Sequence, residues 1–225
     1  MKVTEYRSKR FLIVDSYKGF CETLKKMLQS RGANRFDVAY NSRDAINWCK
    51  NVDFDVILMG YDLGDGKQNG QQALEELRTN NYLSRSCIFI LITGEMSQDI
   101  VLSAIEHKPD AYLTKPFAPK DLIVRLESAY KKKMAMASIY RALDQKKHKD
   151  AIALCNKHIE NNGPYSNECL GIISRQLFEL KHYDQALAIY EKKKSDPKCQ
   201  WAAVGIGKIQ LAREEPQEAK KTFED

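Results

Sequence analysis

The sequence predicts an α/β domain built on a parallel sheet, followed by an all-α helical repeat array. Three observations carry this. Short, near-continuous apolar runs of strand length alternate with helical patterns up to about residue 117. No strand signal follows. Alanines at 151, 186 and 219 then recur 35 and 33 residues apart, each behind a polar turn.

The elements follow in order. Residues 11–15 (Phe-Leu-Ile-Val-Asp) read as a buried strand, and Phe20, Leu24, Met27 and Leu28 recur at helical spacing behind it. Residues 36–40 are strand-like, and residues 42–49 form a short helix capped by Ser42 or Asn41. Residues 56–59 are apolar throughout. Ala73, Leu74 and Leu77 mark a helix face, residues 88–92 a second apolar strand, and Ile100, Val101, Ala104 and Ile105 another helix. Residues 111–113 make a short strand. This rhythm implies a parallel sheet covered by helices on both faces. From Pro119 to Gly163 there is neither Gly nor Pro between the two, and the apolar residues from Leu122 to Leu143 are distributed as in one or two long helices. Beyond them, residues four after each alanine are Cys155, Tyr190 and Phe223. A small residue every ~34 positions between helical segments marks stacked helix hairpins, small because the two helices cross closely there.

Composition excludes other classes. Of 225 residues, 43% are hydrophobic, 29% are charged and only 17 are Gly or Pro, which is a core-forming chain. No run approaches the ~18 apolar residues that span a bilayer, and the N-terminal charges have no apolar run behind them, so neither an anchor nor a secretory signal is expected. The net charge of +6 divides as 16 Lys/Arg against 15 Asp/Glu over residues 1–117 and 20 against 15 over residues 118–225. So mild a bias reads as solvated helix surface, not as a nucleic-acid or membrane surface. Lys131, Lys132 and Lys133, and Lys192, Lys193 and Lys194, are likewise read as solvated helix ends. The six cysteines (21, 49, 87, 155, 169, 199) contain no C-x-x-C and are read as buried thiols of a reducing cytoplasm. His107, His148, His158 and His182 lack metal spacing, and the loop Gly64–Gly70 lacks the order of a nucleotide-binding loop.

The repeats resemble the tetratricopeptide repeat. The second unit carries the resemblance best, with Leu170, Ile173, Ser174 and Leu177, then Tyr183, Asp184, Ala186, Tyr190 and Pro197; the third has Ala203, Ile206, Gly207, Ala219 and Phe223. The resemblance implies about two and a half repeats over residues 131–225, packed through Ala151, Ala186, Tyr190, Gly207, Ala219 and Phe223, with a concave surface for a protein or peptide. The third unit stops at residue 225, so a truncated array is expected.

Residues 11 to about 130 resemble the receiver domain of bacterial response regulators. Phe11 to Asp15 match its first strand and acidic end, and residues 56–64 its third strand and phosphoacceptor loop. Residues 90–94 match the fourth strand with its switch threonine, Thr93. Residues 111–117 match the fifth strand with the switch aromatic, Tyr112, and the pair Lys115–Pro116. The resemblance implies a doubly wound five-stranded sheet of order 2-1-3-4-5 over residues 1–130, with a site at the strands' carboxyl ends where two acids hold Mg²⁺ and a third takes the phosphoryl group.

The chain departs from that pattern. The acceptor position holds Gly60, and the second metal-binding acid is Ser16; only Asp15 remains. Asp15 and Lys115 sum to zero charge, so no Mg²⁺ and no other cofactor is expected. Lys115 is expected to pair with Asp15, or to hold water or an anion, beside a void left by the missing carboxylate. Asp62 lies about 6 to 7 Å beyond Gly60 at ~3.3 Å per strand residue, too far for in-line transfer, and Asp65 further still. For both, a turn-forming Asp beside Gly is the simpler reading. Thr93 and Tyr112 admit two readings, a surviving two-state switch or plain packing.

The expectation is a non-enzymatic cytoplasmic signalling adaptor of the two-component type. It joins a receiver that cannot take phosphate by the usual route to a protein-binding repeat surface, and a homodimer through the receiver is possible in this family. The alternative is a phosphorylated regulator that uses Asp62, or an Asp at position 60 in its natural form, with Mg²⁺ as cofactor. A nucleic-acid output module in the basic half is the weaker rival, since no basic recognition helix is present. The last receiver helix is expected to run into, or directly abut, the first repeat helix through residues 131–136, so that the two domains move together.

Overall fold

The computed structural model describes residues 3–64, 68–94 and 107–224. It divides into two compact units, Met1–Ala135 and Met136–Asp225, with the boundary five residues beyond the expected one.

The first unit runs α1 (Val3–Ser8), β1 (Arg10–Val14), α2 (Lys18–Gln29), β2 (Arg35–Ala39), α3 (Ser42–Asn51), β3 (Val56–Gly60), α4 (Gly70–Thr79), β4 (Ile88–Thr93), β5 (Ala111–Thr114) and α5 (Pro119–Ala135). The helix expected around Ile100–Ile105 lies outside the described residues. The five strands are parallel in the order β2-β1-β3-β4-β5. Alternation sorts their side chains onto two faces. Leu12, Val14, Ile57, Met59, Phe89 and Leu91 pack with α3 and α4, whereas Phe11, Ile13, Val56, Leu58, Ile88 and Ile90 pack with α2 and α5. Burial on both faces is why β3 and β4 read as unbroken apolar runs. Asn41, not Ser42, caps α3, accepting a hydrogen bond from the Asp44 N–H at 2.8 Å.

Lys133 corrects the sequence reading. It is not solvated: its Nζ lies 2.8 Å from Asp110 Oδ1, with both side chains nearly enclosed. The sequence shows a lysine triplet at a helix end, but not which of the three turns toward the sheet.

The second unit is three helix hairpins: α6 (Ala137–Asp144) with α7 (His148–Glu160), α8 (Ser166–Glu179) with α9 (Tyr183–Lys193), and α10 (Trp201–Ala212) with α11 (Pro216–Glu224). The pattern from Leu122 to Leu143, expected to form one or two helices, falls on two, α5 and α6. A single residue, Met136, separates α5 from α6. The other break is a left-handed turn at Lys146 (φ 54°), with Lys146 N–H bonded to Leu143 O and Lys147 N–H to Ala142 O. These are the paired bonds of a glycine-type helix stop made without glycine. The same turn recurs at Lys181 (φ 61°) and Glu214 (φ 63°), each five residues before Ala186 or Ala219, as Lys146 is before Ala151. The three alanines are buried. The Tyr190 ring occupies the space beside Gly205, and the Phe223 ring that beside Gly207. Tyr190 is buried but Phe223 is 50% exposed, so Phe223 packs on one side only. All six cysteines are free and buried.

Candidate functional site at the carboxyl ends of the strands

Parallel strands place their last residues along one edge of the sheet. Asp15 follows β1, Gly60 ends β3, Thr93 ends β4 and Lys115 follows β5, so residues far apart in sequence meet there. Backbone bonds beyond the strands hold them: Asp15 N–H to Ala39 O, Tyr61 N–H to Ile92 O at 2.7 Å, and Lys115 N–H to Thr93 O at 2.8 Å. The Lys115–Pro116 peptide is cis.

The centre of the edge is an ion pair. Lys115 Nζ donates to Asp15 Oδ2 at 2.8 Å, as expected from the charge count. The other carboxylate oxygen, Oδ1, accepts the Tyr17 N–H at 3.0 Å. The ammonium also lies 3.9 Å from the centre of the Phe20 ring, and Phe20 meets Phe117 edge-on. Asp15 is buried and Lys115 half-exposed.

At position 60 the space next to the backbone is tight. A Cβ placed on Gly60 would stand 2.9 Å from Asp15 Oδ2 and 3.4 Å from Leu63 Cδ2 and the Asp62 carbonyl oxygen. Glycine lets the Asp15 carboxylate, paired with Lys115, come this close to the strand end. The loop that follows closes on the same spot. Gly64 takes a left-handed φ of 73° against Ser16, and Gly70 begins α4 against the Gly60 carbonyl, where a side chain has no room.

Asp62 is exposed, and its Oδ1 accepts the Gly64 N–H at 2.9 Å, the turn-forming role anticipated for it. Asp65 lies outside the described residues. Thr93 is buried at the strand end. Tyr112 is half-buried and packs on the cluster that contains Met59 and Leu91. Its hydroxyl is buried with no hydrogen-bond partner among the described residues, and burial pushes the phenol above its ordinary value. Cys21 donates to the Asp15 carbonyl at 3.4 Å, and burial first, then Asp15, raises its thiol to about 11, which keeps it unreactive.

Magnesium does not fit this donor set. Both oxygens of the one remaining acid are engaged, by Lys115 and by Tyr17 N–H. Ser16 and Gly60 supply no carboxylate, and the described residues contain no cluster of three His, Cys, Asp or Glu suited to a metal.

A family model described as the response regulator receiver domain matches residues 11–127. The chain belongs to the response regulator receiver family. Its receiver is 24% identical over 126 residues to chemotaxis protein CheY-3 of Vibrio cholerae, covering 56% of this chain and 95% of that protein. It is 24% identical over 155 residues to the cell cycle transcriptional regulator CtrA of Caulobacter vibrioides, covering 68% of this chain and 62% of that one. A CheY-like receiver structure from Methanospirillum hungatei covers 56% of this chain and 96% of its own at 24% identity, with a TM-score of 0.49.

The receiver's edge thus gathers Asp15, Ser16, Gly60, Thr93 and Lys115 as the sequence placed them, with Asp62 turned outward. Two contributors were missed. Phe20 had been assigned only to the apolar face of α2, and the Tyr17 backbone N–H carries no sequence signal at all.

Proposed function

We propose that the chain is a signalling adaptor whose receiver does not take phosphate by the usual route and whose helical hairpins are tetratricopeptide-like repeats that bind a protein or peptide. The observation that carries this reading is the Lys115–Asp15 pair lying over Gly60. In-line phosphoryl transfer needs a nucleophile and charge neutralisation placed to within about 1 Å. Position 60 offers no nucleophile, and Asp62 is exposed and engaged in its own turn.

Support for the repeat reading comes from the recurrence of one turn geometry before each of the three buried alanines. A receiver without phosphate chemistry still has Thr93 and an inward Tyr112, whose equilibrium a bound protein can bias. A receiver homodimer belongs to the same proposal, as do a cytoplasmic setting and a role without catalysis or cofactor. Among the described residues no helix is long and apolar enough to cross a membrane.

The deciding experiment is incubation of the full chain with acetyl phosphate, and separately with beryllofluoride, each in magnesium buffer. No mass increase of one phosphoryl group and no magnesium-dependent shift of the amide spectrum near residues 15, 60, 93 and 115 are expected. An acyl phosphate mapped to Asp62 or any other carboxylate makes the chain a phosphorylated regulator instead.

A further inference from the structure

Cys155 lies on α7 and Cys169 on α8, consecutive helices that pack on each other and belong to the first and second hairpins. Both cysteines are fully buried in one apolar cluster. Their thiols are hydrogen-bonded to each other, whereas Cys21 and Cys87 donate to the Asp15 and Ile88 carbonyls. The repeat sets this pair apart. One period further on, 35 residues after Cys155 and 33 after Cys169, stand Tyr190 and Ala202, both buried. Positions that hold a ring and a methyl group in the later hairpins hold two thiols here.

Packed helix axes lie ~8–10 Å apart and Cα atoms ~2.3 Å from each axis, so Cα atoms facing across the contact stand roughly 3.5 to 5.5 Å apart. A disulfide spans about 4.4 to 6.8 Å between Cα atoms. Thiols already in contact therefore need a side-chain rotation and little backbone movement to join. The bond to Cys169, and then burial, hold the Cys155 thiol above its ordinary value, so the closed hairpins keep it protonated and slow to react.

We propose that Cys155 and Cys169 form a redox site, which hydrogen peroxide converts to a reversible disulfide that clasps the first hairpin to the second. A brief local opening admits the oxidant. One sulfur, as thiolate, attacks a peroxide oxygen. The O–O bond breaks, the sulfur becomes a sulfenic acid, and the released hydroxide takes up the proton the thiol lost and leaves as water. Closure then brings the second thiol against the sulfenic sulfur. The S–S bond forms, the S–OH bond breaks, and a second water carries off the remaining proton. Two thiols thus give up two electrons and two protons, and one peroxide becomes two waters. The bridge closes the loop over residues 155–169 and restricts its open conformations. It depends only on the packing of α7 on α8, whatever the receiver or the repeat surface binds.

Hydrogen peroxide added to the reduced full chain in native buffer tests this, with a cysteine-containing peptide in the same tube to show that the conditions oxidise thiols. By intact mass the wild type is expected to lose two hydrogens. Tryptic digestion without reductant is expected to yield peptides 150–157 and 158–175 joined, and dithiothreitol to separate them. In the bridged chain the amides of α7 and α8 exchange at least about 10-fold more slowly than in the reduced chain. Cys155→Ala and Cys169→Ala each form no such bridge and keep the exchange of the reduced chain. The wild type carries the decisive measurement, so a variant that fails to fold does not affect the outcome. A wild type left unbridged once the peptide is oxidised overturns the proposal, as does a sulfinic acid at either position as the main product. A bridge to another cysteine or between chains, a bridge formed only in urea, or unchanged exchange in the bridged chain overturns it too.

Discussion

At the scale of the residue, position 60 shows how one missing side chain rearranges its neighbours. The Asp15 carboxylate approaches the strand end because no Cβ opposes it, and there it meets Lys115. Gly60→Ala is accordingly expected to cost about 1 to 3 kcal/mol in urea unfolding, the range for overpacking a filled site, and to lengthen the Asp15–Lys115 contact. An alanine variant as stable as the parent, with the ion pair intact, contradicts the filled geometry. Asp15, Ser16, Gly60, Thr93 and Lys115 were legible in the sequence because strand ends in a parallel sheet have fixed neighbours. The direction in which Asp15 leans was not legible, since a rotamer depends on the space left by residues distant in sequence.

At the scale of the element, strands were easier to place than helix stops. Runs such as Ile57 to Met59 and Phe89 to Leu91 declare themselves by being apolar on both faces. The hairpin turns are placed by their polar residues, but the left-handed backbone at Lys146, Lys181 and Glu214 is not, because each puts an ordinary residue into the region that glycine usually fills. That conformation costs an L residue roughly 1 to 2 kcal/mol. Lys181→Gly is therefore expected to stabilise the hairpin by about 1 kcal/mol after glycine's own entropy loss, seen as a higher urea midpoint at unchanged slope. A lower midpoint contradicts the assigned turn. The side chains of these three residues are exposed, so the change tests backbone conformation and not packing.

At the scale of the whole molecule, the chain is two cores, each with its own logic. The receiver buries both faces of a sheet, whereas each hairpin buries its apolar face on its neighbours. A fragment ending at Ala135 is expected to unfold in one cooperative transition and to keep the α/β circular dichroism of the receiver. A fragment ending at residue 127, where the family match stops, lacks buried Ala129, Tyr130 packed on the same cluster, and Lys133, and is expected to be less stable for the apolar surface it no longer buries. Equal stability of the two fragments, read from their urea midpoints, contradicts a packing role for the end of α5.

Local periodicity alone determined that a parallel α/β domain precedes a helical region, and motif order along the chain determined which residues reach the sheet's carboxyl edge. Both are properties of near neighbours, which a linear pattern records. Only the tertiary structure decided that Asp15 crowds the space at Gly60, that Lys133 is buried while Lys131 is not, and that Lys146 takes a left-handed conformation. Each of these depends on atoms brought together from distant parts of the chain, or on a backbone angle that an unremarkable lysine adopts because the packing on either side requires it.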